Sequence, residues 1–304
     1  LTIQTFNPDH TLVSDFREGR IPSAQGELIL KDVISNSVIM QLGKYEEMKD
    51  AAGKPVMKKT FSYLAEGPGA YWVNETEKIK TSTAKWLHVD MVAKKLAVII
   101  PISKEFLYYT VTDFFNEMQP KIAEAFYKKF DEAGILGINN PFAQSIEKSV
   151  ASSSNKLVGD ISYDNVLALG DLVLEDDIEP NAFISKAQNR TALRGAALVE
   201  NGVIQEIYDK TTDTIDGLPS VNLKSAEMKK GTLYTGDFDH LYYGIPWELE
   251  YTISEEAQLS TITNEDGTPV NLFEQDMVAL KATMHVGLTI VKDEAFAKLE
   301  PKAE

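Results

Sequence analysis

The chain has 304 residues, with 30 lysines and arginines against 46 aspartates and glutamates, and no cysteine. A formal charge of −16 excludes a protein that works by gripping phosphate backbones, since that affinity comes from cationic neutralisation, but it allows one that encloses nucleic acid behind an acidic wall. Without cysteine there are no disulfides, thiol nucleophiles or zinc–thiolate sites, and no run approaches the ~18 apolar residues of a membrane span.

The sequence starts at Leu1 with no charged-plus-apolar signal segment behind it, so the expectation is a trimmed start or a leader removed by proteolysis. Residues 1–27 carry Pro8, Gly19, Pro22 and Gly26 and read as an extended arm. Leu28, Val33, Ile34, Val38 and Leu42 allow a short helix, broken near Ser35-Asn36-Ser37. A strand follows over 57–63, with Met57, Phe61 and Tyr63 on one face. Glu66-Gly67-Pro68-Gly69 punctuates the chain as a turn, and Tyr71-Trp72 stand beside it. Beyond Trp86, Leu87, Val89, Met91 and Ala93 alternate with polar positions as in a half-buried strand. Together these arms predict a long β-hairpin reaching about 40 Å. Because a lone hairpin is marginal in water, it is expected to rest on a neighbouring subunit.

The apolar run Val98–Ile102 leads into a helical pattern over 103–137. Ser103 is placed as N-cap, and Phe106, Phe114, Phe126 and Phe130 lie on the apolar stripe. Pro120 is expected to break or restart that helix, and Gly134 and Gly137 to end it. Ser149–Asn155 reads as a serine-rich linker. A helix is predicted past Ser162, a buried strand at Asn181–Ile184, and a helix capped by Ser185 running through Leu193. Asp216-Gly217-Leu218-Pro219 reads as a turn before a strand at Val221, with further strands in 242–253 and 278–291. This mixture is α+β.

Catalytic chemistry is not the theme. His10, His88, His240 and His285 have no ligand spacing. Asp237, Asp239 and Glu255-Glu256 read as solvated loop carboxylates, and Asp131-Glu132 and Asp176-Asp177 as exposed faces or helix ends. There is no Gly-rich phosphate cradle and no G-x-S-x-G elbow. No metal, cofactor or catalytic residue is assigned.

Pro68–Val73, Ile102–Leu107, Ile122–Phe126, Asp216–Pro219, Gly236–Phe238, Phe273–Thr283 and Ala295–Leu299, taken in that order, carry a resemblance. The chain resembles the major capsid proteins of tailed bacteriophages, with the HK97-like fold, and is most similar to those of siphophages of Gram-positive hosts, staphylococcal ones included. The resemblance implies an N-terminal arm with a short helix (1–43), an extended loop (44–100), a peripheral domain on a spine helix (101–155 and 265–304) and an axial domain (156–264). It implies a structural protein, not an enzyme, that assembles with itself into pentamers and hexamers of an icosahedral shell around double-stranded DNA. Scaffolding protein, portal protein and a maturation protease are the implied partners; the implied place is the virion, assembled in the host cytoplasm, without a membrane. Phe61, Tyr63, Gly67, Pro68, Gly69, Tyr71, Trp72 and Trp86 are the expected assembly surface, and Ser103, Phe106, Phe114, Phe126 and Phe130 the spine. Lys58, Lys59, Lys78 and Lys80 lie in the loop, but no pattern selects one for a covalent cross-link, and none is expected. An encapsulin-like compartment and a soluble hydrolase are the rival readings.

Overall fold

A computed structural model describes residues 4–5, 36–50, 52–66, 78, 85–200, 203–247, 249–264 and 267–302. The predicted arm therefore lies outside the described residues, apart from a two-residue strand β1 (Gln4–Thr5). Of the predicted short helix, residues 28–35 lie outside the described residues, and Val38–Leu42 is helical, with the chain breaking at Ser37 as expected. After β2 (Lys44–Tyr45) come the two hairpin strands, β3 (Lys58–Glu66) and β4 (Lys85–Ser103). The hairpin turn is outside the described residues.

Ser103 ends β4 and a single helix, Lys104–Gly134, begins at the next residue. Pro120 sits within this helix and does not interrupt it, contrary to expectation. Its missing N–H and ring crowding cost ~3 kcal/mol in a helix interior. The helix carries the burden because Ile122, Ala123, Phe126, Tyr127 and Phe130 are buried over the next three turns. Burial contributes roughly 1.5–3 kcal/mol per large side chain, so two phenylalanines alone outweigh the proline.

The serine-rich stretch is a second correction. Ile146–Ser153 is a helix, not a linker. Ser145 Oγ accepts from Lys148 N at its start, Ser154 ends it at φ +65°, and Ile146, Ser149 and Val150 are buried. Ser149 belongs there because its hydroxyl donates to Asp293 at 2.8 Å. Past β5 (Lys156–Val158), the helix Tyr163–Leu174 starts where expected, with Ser162 Oγ accepting from Asn165 N.

Strand β6 (Ala182–Ser185) is buried throughout. Ser185 caps no helix: it closes β6, and the turn Ala187–Asn189 and short helix Arg190–Gly195 begin later. Strands β7 (Ala197–Glu200) and β8 (Val203–Glu206) form a hairpin, and β9 (Tyr208–Asp209) and β10 (Thr214–Ile215) follow. Asp216 at φ +50° and Gly217 at φ +77° make the predicted turn into β11 (Leu218–Asn222). The remaining strands are β12 (Leu233–Gly236), β13 (Leu241–Gly244), β14 (Glu250–Ser254), β15 (Gln258–Thr263), β16 (Pro269–Asn271), β17 (Met277–Ile290) and β18 (Phe296–Glu300).

Backbone contacts divide the chain into two compact units: Leu1–Gln41 with Lys95–Asp131 and Trp247–Val286, and Leu42–Lys94 with Glu132–Pro246 and Gly287–Glu304. In the first, β14 runs antiparallel to residues 279–283 of β17, and Leu259, Val270, Leu272, Met277 and Ala279 form an apolar cluster. In the second, a seven-stranded sheet has the order β5-β18-β12-β6-β11-β10-β9. The C-terminal strand β18, expected with the peripheral segments, is hydrogen-bonded between β12 and β5 of this sheet. Its Lys298 is buried because the ammonium reaches Glu147 at 2.7 Å, and Tyr234 Oη donates to the other oxygen of that carboxylate at 2.8 Å.

Asp131 and Glu132 also correct the sequence reading: both are buried, not exposed. Asp131 serves the start of helix Val38–Leu42. Its carboxylate accepts from Ser37 Oγ at 2.7 Å, Val38 N at 2.9 Å and Ile39 N at 3.2 Å. Ser37 Oγ in turn accepts from Met40 N at 3.3 Å. The first three N–H groups of that helix, which have no intrahelical partners, are thus all satisfied. Glu132 accepts from Ser225 Oγ at 2.9 Å.

Candidate assembly interface

The β3–β4 hairpin pairs antiparallel, from Lys58 opposite Val92 to Glu66 opposite Lys85. Successive side chains of a strand point to opposite faces, so the ribbon has two. One carries Lys59, Phe61 and Tyr63 on β3 with Leu87, Val89, Met91 and Ala93 on β4. Met91 and Ala93 are buried, Val89 is half-buried and Leu87 is 41% exposed, so burial fades along the strand towards the turn. The base of this face packs on Met48, and the Phe61 ring lies 5.1 Å from that of Tyr242. Tyr63 Oη donates to the Val291 carbonyl at 2.9 Å. Glycines make room for this seat: a Cβ on Gly244 would stand 2.6 Å from Met48 Cγ and 2.7 Å from the Glu46 carbonyl oxygen.

The other face carries Lys58, Thr60 and Ser62 with Trp86, His88, Asp90, Val92 and Lys94, and every one of these is exposed. Its polar pairs cross between the strands: Lys58 to Asp90 at 2.7 Å, Thr60 to Asp90, and Ser62 Oγ to His88 Nδ1 at 2.8 Å. The lysine and threonine hydrogen bonds hold the Asp90 carboxyl below its usual range. Between these pairs stand two apolar side chains in water, Trp86 at 59% and Val92 at 38% exposure.

The expected site residues therefore divide. Phe61 and Tyr63 are turned onto their own chain and anchor the hairpin base. Alternate residues thus give the ribbon a seat on its own chain. Trp86 is free on the outward face. Gly67, Pro68, Gly69, Tyr71 and Trp72 lie outside the described residues. Ser103 directly precedes the spine helix, Phe106 and Phe114 fall on its first half, and Phe126 and Phe130 are buried at 2% exposure each. Sequence reasoning missed Asp131, whose helix-starting role depends on a contact 94 residues away, and the exposed Phe273, hidden within an apolar-looking motif.

Among the described residues no group of three or more His, Cys, Asp or Glu side chains could hold a metal ion. Asp237 is structural: its Oδ1 accepts from Asp239 N at 3.0 Å and Asn181 Nδ2 at 2.8 Å. Asp239 pairs with Lys44 at 2.8 Å. Burial pushes the His240 imidazole down from its ordinary value, against the attraction of Asp237 at 3.5 Å, and burial does the same to His285. Both are held neutral in the fold and protonate more readily when it opens. Stability is therefore expected to fall as pH drops through the ordinary histidine value of 6.5, because the unfolded chain gains protons there first. Thermal midpoints should decline from pH 7.5 to 5.5, and His240→Gln should flatten that decline.

The chain thus combines a two-faced hairpin, a long helix and a mixed seven-stranded sheet. The Phage capsid family model matches residues 20–300, and the chain belongs to that family. It is 54% identical over 299 residues to the major capsid protein of Staphylococcus phage 80alpha, covering 98% of this chain and 90% of that one. A probable major capsid protein of Mycobacterium phage L5 is 22% identical over 320 residues, covering 96% and 97%. Among solved structures, one from Microbacterium phage Oxtober96 superposes with a TM-score of 0.71 at 21% identity, over 88% of this chain and 91% of that chain. The capsid of an empty GTA particle gives 0.64 at 14% identity, over 100% and 96%. The fold is the HK97-like α+β fold expected from the sequence, in a family of structural rather than enzymatic proteins. Neither the encapsulin-like nor the hydrolase reading gains support.

Proposed function

We propose that the protein is the major capsid subunit of a tailed double-stranded DNA phage, forming pentamers and hexamers of an icosahedral shell around the genome. The observation that carries this is the near-full-length kinship at 54% identity with a phage major capsid protein. In this reading residues 44–100 are the extended loop, 101–155 with the segment from 265 the peripheral domain, and 156–264 the axial domain. Trp86 and the turn residues Gly67, Pro68, Gly69, Tyr71 and Trp72 bear on a neighbouring copy, and Phe61 and Tyr63 hold the ribbon at the angle that delivers them. Scaffolding protein, portal protein and a maturation protease are the proposed partners, and the host cytoplasm the place of assembly.

The physical support is the outward face. An exposed tryptophan and valine on a fixed ribbon leave apolar area in water that another surface can cover, and aromatic residues dominate such contacts. The acidic chain suits a shell around DNA, since its inner wall need not grip the backbone. Electron microscopy of the purified full chain tests the reading: closed shells or capsomers are expected, and small monodisperse particles at every concentration would sink it. The double change Trp86→Ser with Val92→Thr should abolish shells while leaving subunit stability within about 0.5 kcal/mol, as for exposed sites generally.

A further inference from the structure

Beside the seven-stranded sheet, the described residues line a cavity of about 240 Å³. The charges deepest in it are matched. Lys298, 7% exposed, reaches Glu147 at 2.7 Å, and Lys156 pairs with Glu300. Leu136, Ile138 and Met228 supply an apolar wall. The loop along one side is held firmly: Lys186 Nζ donates to the Met228 carbonyl at 2.6 Å and to the Ala226 carbonyl at 3.3 Å. Buried Asn189 accepts from Gly231 N and donates to the Thr232 carbonyl, both at 2.8 Å. Such a loop brings its side chains to the cavity already placed, which lowers the ordering cost of binding.

At the mouth the charges do not cancel. Among the described residues, exposed Glu227, Lys229, Lys230 and Lys302 make no ion pair. Glu227 and Lys229 line the cavity, and Lys230 follows directly. Lys302 belongs to the same edge, because a Cβ on Gly231 would stand 3.1 Å from Pro301 Cβ. The Lys156 hydrogen bond, with Lys298 and Lys229 nearby, holds the Glu300 carboxyl below its ordinary range. Three free ammonium groups therefore accompany one free carboxylate, in a chain whose total charge is −16.

We propose that this cavity docks an acidic peptide segment of a partner protein, with an aliphatic side chain on the wall of Leu136, Ile138 and Met228 and flanking carboxylates on Lys229, Lys230 and Lys302. Its size selects side chains over a small-molecule ligand, whose pockets run to ~300–1,000 Å³ and are mostly apolar. Its own carboxylates select against nucleic acid: Glu147, Glu227 and Glu300 would stand against phosphate oxygens, which are held by cations. A basic partner would meet the three free lysines and be repelled. The site lies within one subunit, so the proposal goes beyond the capsid reading and does not rest on it.

The test is fluorescence anisotropy of the unassembled full chain with a short labelled peptide of alternating leucine and glutamate. Saturable binding with a Kd of about 0.1 mM is expected. Lys229→Glu with Lys230→Glu should weaken it about tenfold or more, since each change removes an attraction and adds a repulsion. Lys54→Glu with Lys210→Glu, equally exposed but elsewhere in the chain, should leave it within about twofold. Hydrogen exchange should slow over residues 227–232 when the peptide is added. Absent binding, equal binding of a peptide with glutamine for glutamate or serine for leucine, or equal weakening by the two pairs of variants would overturn the proposal. So would a DNA duplex that binds the same lysines more tightly, or protection of 227–232 that rises with protein concentration alone and assigns the cavity to a second copy.

Discussion

Asp131→Ala is expected to lower the stability of the subunit by about 3 kcal/mol or more. The carboxylate is 2% exposed and accepts three hydrogen bonds from the start of helix Val38–Leu42. Removing it strands two backbone N–H groups and a hydroxyl in a buried place, each costing ~1–3 kcal/mol when left unmet. The helix has only five residues and cannot hold itself without such a start. Asp131→Asn keeps one acceptor oxygen but introduces two donors where the site supplies only donors, so it should recover little. Urea denaturation measures the loss, and hydrogen exchange should show residues 38–42 opening first. Protection at 38–42 that matches the unaltered chain would mean that the carboxylate does not hold this helix.

Gly236→Ala is expected to cost about 3 kcal/mol, at the upper end for overpacking. Gly236 lies in β12, with β18 on one side and β6 on the other. The Ala295 carbonyl is drawn in to accept from Asp237 N at 2.9 Å, and an added Cβ on Gly236 would stand 2.3 Å from that oxygen. It would also meet Phe296 Cδ1 at 2.7 Å and Phe296 Cα at 3.0 Å. Most of these atoms are backbone or next to it, so relief requires β18 to move away from β12. Gly170→Ala is the matched control. It lies inside helix Tyr163–Leu174 with nothing within 4 Å of the new carbon, and should stabilise by about 0.5–1 kcal/mol. Denaturant midpoints that shift alike for both variants would refute the packing argument.

What the sequence made legible follows from where the information sits. Alternation along 85–94 and the apolar stripe through Phe126 and Phe130 are local patterns, and both elements stand as read. The turn at Asp216-Gly217 was readable because the positive φ there is set by its own residues. What failed depended on distant partners. Ser149 looks like linker material until Asp293 is placed against it, and Asp131 looks solvent-facing until the N–H groups of residues 38 and 39 arrive. Lys298 belongs to a buried strand only because Glu147 and Tyr234 meet it from elsewhere in the chain. Pro120 reads as a breaker by local rule and is overruled by the packing of the turns that follow.

At the candidate assembly surface, the hairpin was legible as an object, but the way its residues divide between two faces was not. Phe61 and Tyr63 look as available as Trp86 in the sequence; only the position of Tyr242 and the Val291 carbonyl shows which way they face.

The ribbon's two-residue period has a practical consequence for variation among related phages. Over 59–63 and 89–93 the odd-numbered positions face the subunit's own interior, whereas the even-numbered positions of 58–62 and 86–94 are exposed and touch only one another across the strands. On the proposed reading of that face, exchanges at residues such as 58, 86, 92 and 94 retune how tightly particles close, or which salt concentration they tolerate, at little cost to the monomer.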